Sequence, residues 1–323
     1  MGQGGGCNDS RVTLVHWDEV EARRWEHSGL GGEWTNLGTA AGSVIAGVNR
    51  IRLADGEVST PAHVHGADEE IFFVLAGSGL SWQNGLTYEI AAGDCLVHAP
   101  LAEAHTLRGG PEGLDVLAFG TRTRIGGAHL PRVGTRWLNP SWAEVGQGES
   151  PYDRDQNLDW PDPSPRPTTR IVNLEDLEGE YGGIAKSPGR EAGAKLSGLN
   201  WVALPAGEEG APPHSHSAEE ELFVILDGEG VLELWARPDP ANPLPSEPPE
   251  THSLRRGHVI SRPAATRIPH SLRAGPAGLT YLAYGTREPN DICWYPRSNK
   301  VFFRGLGVIG RLELLDYNDG EPS

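Results

Sequence analysis

The chain has 323 residues, with 44 Asp and Glu against 27 Lys and Arg and a formal charge of -17. That length suits about two domains, and that charge, with no Lys/Arg stripe to offset it, argues against a nucleic-acid partner. The 43 Gly and 26 Pro favour short strands and turns over long helices, and no apolar run reaches the ~18–20 residues of a membrane span.

The N-terminal MGQGGGCNDS has neither the basic start nor the apolar stretch of a secretory signal, and Gly6 breaks the myristoylation pattern. The cysteines Cys7, Cys95 and Cys293 lie far apart. Cys95 and Cys293 sit in apolar strand-like contexts and are expected to be buried thiols, which fits a cytoplasmic protein without a disulfide framework.

An internal repeat organises the rest. Residues 47–79 align without gaps on 198–230 with 15 identities in 33 positions, and residues 104–122 align on 269–287 with 12 in 19. The offsets, 151 and 165, differ by 14, so the second copy carries an insertion. The Pro-rich segment 237–250 is assigned to it, as a hairpin tip. A second Pro-rich stretch, 159–170, marks the boundary between an N-terminal domain, 1–160, and a C-terminal domain, 161–323. Beyond it IVNLEDL echoes LVHWDEV near residue 14.

Within each copy the pattern is β. IFFVLAGSGLSW and LFVILDGEGVLELW read as strands joined by a tight turn at G-x-G. GDCLVHAP and GHVISRP read as one short strand, and LDVLAFGT and LTYLAYGT as another. The tail from Asn290 reads as extra strands closing the second copy. No stretch sustains a 3.6-residue period, so the fold class is all-β with little helix, a small barrel or jelly roll per copy.

The chemistry lies in two matching sets. His63 and His65 stand at i and i+2, on one face of a strand and roughly 6.5–7 Å apart along it. Glu70 follows after a corner, and His105 arrives after a further strand. Copy two supplies His214, His216, Glu221 and His270 in the same order. An isolated H-x-H is more often an exposed strand face. Two H-x-H-x4-E patterns, each with its own downstream His, point to one metal ion per copy.

HVHGADEEIFFVLAGSG and HSHSAEEELFVILDGEG resemble the first cupin motif, and GDCLVHAPLAEAHTL and GHVISRPAATRIPHSL the second. The chain thus resembles a bicupin, which implies two antiparallel β jelly-roll barrels with a metal inside each. The spacing to Gly77 and Gly228 in that motif selects Glu70 and Glu221 over the neighbouring acids Glu69, Glu219 and Glu220. Three imidazoles and a carboxylate suit a divalent Fe, Mn, Zn, Ni or Cu ion, and with no thiolate in the motif a soft site is disfavoured.

The resemblance implies a small-molecule oxygenase, dioxygenase-like, acting on a small organic acid, phenol or diketone. Its alternatives are a non-redox metal enzyme (isomerase, lyase or hydrolase of a small polar metabolite) and a non-catalytic small-molecule-binding cupin. The protein is expected as a monomer, with its internal pseudo-dimer, or as a homo-oligomer. Glu103 and Arg267, near the last His of each set, are expected to be solvated loop charges. Trp82, Trp201, Phe72, Phe223, Phe119 and Tyr284 are candidates for barrel interiors. Differences such as Val116 against Tyr281 predict two sites that are unequal in function.

Overall fold

The structure, a computed structural model, describes residues 14–122, 126–138, 141–144, 150–155, 158–237, 247–313, 315 and 318–320. Strands dominate, and the helices are single turns such as Leu37–Ala40 and Pro188–Glu191. No helix among the described residues is long and apolar enough to cross a membrane.

Each copy of the repeat builds one large and one small antiparallel sheet. In the first, Glu70–Gln83 lies between Asp94–His98 and His105–Thr121, and the sheet continues through Ala46–Leu53. In the second, Glu221–Leu234 lies between His258–Arg262 and His270–Gly285, continuing through Gly198–Leu204. The small sheets place Val64–His65 beside Gly127–Leu130, and Ser215–His216 beside Ile292–Tyr295. The tail does add strands to the second copy, as the sequence suggested.

The G-x-G segments are not turns. Glu70–Gln83 and Glu221–Leu234 run straight through them, with the register against the neighbouring strand shifting there. Gly77 takes φ 77°, and a Cβ on it would collide with the Gly113 carbonyl. Glycine here therefore permits a bulge that bends one long strand. Of the Pro-rich insertion, residues 238–246 lie outside the described residues, as does Cys7. Its flanking strands pair as a hairpin, Glu229–Leu234 against Glu250–Arg255.

The strand that opens each copy is donated to the other. Leu14–His16 pairs with His258–Arg262, and Ile171–Asn173 pairs with Asp94–His98. Both faces of the central strands are buried near their start, at Ile71–Val74 and Leu222–Ile225. Phe72 and Val74 face the interior of their own barrel, whereas Ile71 and Phe73 join a shared core with Leu222, Val224 and Tyr284. Phe119 and Tyr284, matched residues of the repeat, stack across this core at 5.3 Å. They are therefore residues of the junction between barrels, not of barrel interiors. Trp201 is only half-buried against the same core. Phe72 and Phe223 do face barrel interiors, and Trp82 belongs to a small cluster with Ala62 and Ala104.

Two buried carboxylates tie the junction reciprocally. Glu69 accepts from the backbone N–H groups of Lys195 (2.9 Å), Leu196 (3.2 Å) and Ser197 (2.9 Å) and from the Ser197 hydroxyl (2.7 Å). Glu220 accepts from Val44 (2.9 Å), Ile45 (2.6 Å) and Ala46 (2.9 Å) and from the Ser261 hydroxyl (3.1 Å). Removing either strands several buried donors. We expect Glu69→Ala and Glu220→Ala each to cost roughly 2–4 kcal/mol. In denaturant unfolding, Glu26→Ala, at an exposed position, should stay within about 0.5 kcal/mol of the parent; equal small effects from all three would refute the role.

Candidate metal centres

The first cluster is assembled from three places. Val64–His65 in the small sheet carries His65, Glu70 opens the central strand, and His105 opens the next. A backbone bridge between His63 and His105 locks the fourth member in place. Ligand atoms of His63, His65, Glu70 and His105 all lie within 4.8 Å of one another. His63 Nε2 is 3.2 Å from His65 Nε2, and Glu70 Oε2 is 2.9 Å from His105 Nε2 and 3.2 Å from His65 Nε2.

The tautomers follow from the outer partners. His63 Nδ1 donates to the Pro61 carbonyl (3.0 Å) and His105 Nδ1 to the Glu103 carbonyl (3.2 Å). A carbonyl only accepts, so the proton sits on Nδ1 and the Nε2 lone pairs face inward. Two of the three imidazoles thus turn a lone pair toward the centre, where Glu70 presents a carboxylate oxygen. Such a set requires a cation or a proton at its centre.

In the second cluster all three imidazoles converge on Glu221 Oε2: His270 Nε2 at 3.0 Å, His216 Nε2 at 3.3 Å and His214 Nε2 at 3.4 Å. Nδ1 of His214 donates to the Pro212 carbonyl at 2.7 Å, and Nδ1 of His216 donates to Asp291 Oδ2 at 2.6 Å. The grouping differs from the first. His214, Glu221 and His270 form one set within 4.8 Å, and His214, His216 and Cys293 form another. A third set joins His216 to Glu219 and Asp291.

Electrostatics matches this geometry. Burial holds His63, His105 and His270 down to about 3, so they stay neutral. Burial pushes Glu70 and Glu221 upward, but the facing imidazoles outweigh it and hold both well below the usual carboxylate range. His65 and His216 are lowered by burial, yet Glu70 for one, and Glu221 and Asp291 for the other, raise them above the ordinary value. A metal ion at either centre would compete with protonation of these two imidazoles.

Behind the first cluster, sequence reasoning missed a buried layer. His98 stacks on His105 at 3.9 Å, and burial holds it at about 3. Glu103 is not a solvated loop charge: it is 4% exposed, 3.7 Å from His98, and paired with Arg170. Arg170 ends the Pro-rich 159–170 stretch, 67 residues along the chain from Glu103, so only the folded chain reveals the contact. The counterpart of His98 on the strand beside Glu221 is the buried Arg262, which donates to the Ile268 carbonyl. Arg267 is exposed, as expected.

Each cluster opens on a cavity. The first, about 360 Å³, is walled by Thr60, Leu130, Trp137 and Tyr152 beside His63 and His65. The second, about 570 Å³, is walled by Asn200, Val202, Phe223 and Tyr281 beside His214 and His270. A larger groove of about 1200 Å³, bordered by Asp55, Arg108 and Arg166, contains none of the eight predicted ligands.

These shifts set a pH dependence for the metal-free chain. His63, His98, His105 and His270 stay neutral down to about 3 when folded, but protonate near 6.5 when unfolded. Between those values the unfolded state binds more protons, so their stabilisation is complete above about 6.5 and is lost as the pH falls toward 3. His65 and His216 act with the opposite sign, and only above about 6.5. In chelator, the denaturant midpoint should fall steadily from pH 6.5 to pH 4.5; a flat or rising midpoint would contradict neutral buried imidazoles.

Against known proteins, the sequence model of the cupin domain family matches residues 49–109. Among solved structures, the chain is similar to oxalate decarboxylase of Bacillus subtilis, an enzyme with Mn(II) centres. The TM-score is 0.56 at 13% identity, covering 88% of this chain and 78% of that one. It is also similar to the formate complex of the Lactobacillus farciminis oxalate decarboxylase, with a TM-score of 0.57 at 15% identity, covering 88% and 87%. No curated protein matches by sequence. A cupin domain is thus matched in the first half, the same barrel and cluster are repeated in the second, and the chain shares the fold of these two structures over most of its length.

Proposed function

We propose that this chain is a metal-dependent bicupin enzyme holding one divalent transition-metal ion per barrel. His63, His65, Glu70 and His105 serve the first ion, and His214, His216, Glu221 and His270 the second. The observation that carries this reading is the inward convergence of imidazole lone pairs on a carboxylate oxygen in both copies. Three nitrogens and one oxygen suit Mn, Fe, Ni, Cu or Zn, and the Mn(II) centres of the B. subtilis relative support manganese among them. A bound ion would supply Lewis-acid polarisation of substrate oxygens or, if redox-active, a partner for dioxygen.

The chain's own residues do the rest. Pro61, Glu103 and Pro212 aim the imidazoles through their carbonyls, and Asp291 does so through its carboxylate. The cavity walls border one side of each cluster. Among the described residues lining either cavity there is no Lys or Arg, so a dicarboxylate would have only the ion to offset its charge. A substrate with one or two metal-reaching oxygens on an apolar body, a phenol or a diketone, suits these walls better. This favours dioxygenase-like chemistry. A non-redox lyase acting on a small organic acid is the second reading, favoured by the likeness to the decarboxylases.

Purified chain should contain two ions. His65→Ala and His216→Ala should each lower that to one without loss of β-sheet circular dichroism. Oxygen uptake with catechols, flavonols or 1,3-diketones supports the first reading, and carbon dioxide release from small organic acids without net uptake supports the second. Absence of stoichiometric metal would refute both.

A further inference from the structure

The two barrels part company on the strand that faces the H-x-H pair. His65 lies opposite Ala128, whereas His216 lies opposite Cys293. Directly opposed residues of an antiparallel pair project from the same face about 4.5–5.5 Å apart, so the register delivers the thiol to the cluster. Cys293 is 2% exposed, and its Sγ is 4.0 Å from His216 Nε2. With bonds of about 2.1 Å to nitrogen and about 2.3 Å to sulfur, two donors on one ion can stand up to about 4.4 Å apart. The thiol, His214 and His216 form a donor set within 4.8 Å.

A second difference steadies that set. Asp291 holds His216 from behind and is itself fixed by the backbone N–H groups of Ala218 (2.9 Å) and Glu219 (3.1 Å). Its counterpart in the first copy, by the offset that relates Ala128 to Cys293, is Gly126. The imidazole that must meet the sulfur is thus oriented by a carboxylate found only in the second copy.

Building on the metal reading above, we propose that Cys293 is a thiolate ligand of the second barrel's ion. The chain then carries two unlike centres: a three-imidazole, one-carboxylate centre in the first barrel and a sulfur-containing centre in the second. Binding releases the thiol proton to solvent and leaves sulfur as an anion. Glu221 and Cys293 together neutralise a divalent ion, whereas Glu70 alone leaves one net positive charge on the first. The second site therefore selects a thiolate-preferring ion such as zinc or cobalt, and the first is the stronger Lewis acid.

The test loads the full-length chain with Co2+ alone. Two bound ions and a thiolate-to-cobalt charge-transfer band in the near ultraviolet are expected. Cys293→Ala, which installs the first copy's residue, should abolish the band and weaken Co2+ binding at that site about tenfold or more, while His65→Ala should keep the band. Two bound ions without the band, or a band that survives Cys293→Ala, would overturn the thiolate assignment and leave the metal reading standing. Failure to bind Co2+ at all would remove that reading and this one with it. Should Cys293→Ala not fold, X-ray absorption of the Cd2+-loaded parent decides the matter: a cadmium–sulfur contact supports the assignment, and a shell of nitrogen and oxygen only overturns it.

Discussion

Strand pleating is the constraint on which the rest of this structure depends. Consecutive residues leave a strand on opposite faces, and the acidic runs at the head of each central strand exploit that division. Glu69 shares its face with Ile71 and Phe73 and turns toward the other barrel. Glu70 shares its face with Phe72 and Val74 and turns inward to the imidazoles. Glu220 and Glu221 divide in the same way. A register slip of one residue would exchange the two roles, placing a junction carboxylate in the cluster and a ligand at the junction. Fold and candidate site are thus fixed by the same alternation.

That alternation matters because both faces are buried where the central strands begin, at Ile71–Val74 and Leu222–Ile225. Strand exchange and the shared core bury the outer face as fully as a barrel interior. A carboxylate there has to find donors, and both acids find them in the loop that leads into the first long strand of the other copy. The buried polar contacts are satisfied only when the two copies are correctly placed. They therefore specify the junction as well as stabilising it.

Much of this was legible in the sequence because the repeat is local. Its blocks carry the His and Glu residues at fixed spacings, and strand periodicity follows from a few neighbouring residues. What escaped depends on segments distant in the chain. Glu103 is buried and meets Arg170, at the far end of the linker. Phe119 and Tyr284 meet only because the barrels face each other. Cys293 reads as an ordinary apolar-strand thiol until the register sets it opposite His216. A faint signal existed: extending the weaker frame of 130–138 against 295–303 back by two residues aligns Cys293 with Ala128. Only the position of the H-x-H strand gives that alignment meaning.

Duplication produced two similar donor sets, and several departures from symmetry lie beside them. His98 is replaced by Arg262, Gly126 by Asp291, Ala128 by Cys293 and Val116 by Tyr281, while the imidazoles and the inward Glu are kept. The first cluster is backed by a neutral stacked imidazole, which adds no charge of its own. The second has a carboxylate and a thiol at its edge and a buried guanidinium on the adjoining strand. Groups of this kind tune the acidity of a bound ion beyond what its direct donors set. Two sites with matching ligands are thereby pulled toward different chemistry. On the proposed assignment, the first would offer a net positive ion to a substrate oxygen and the second would hold its ion more firmly.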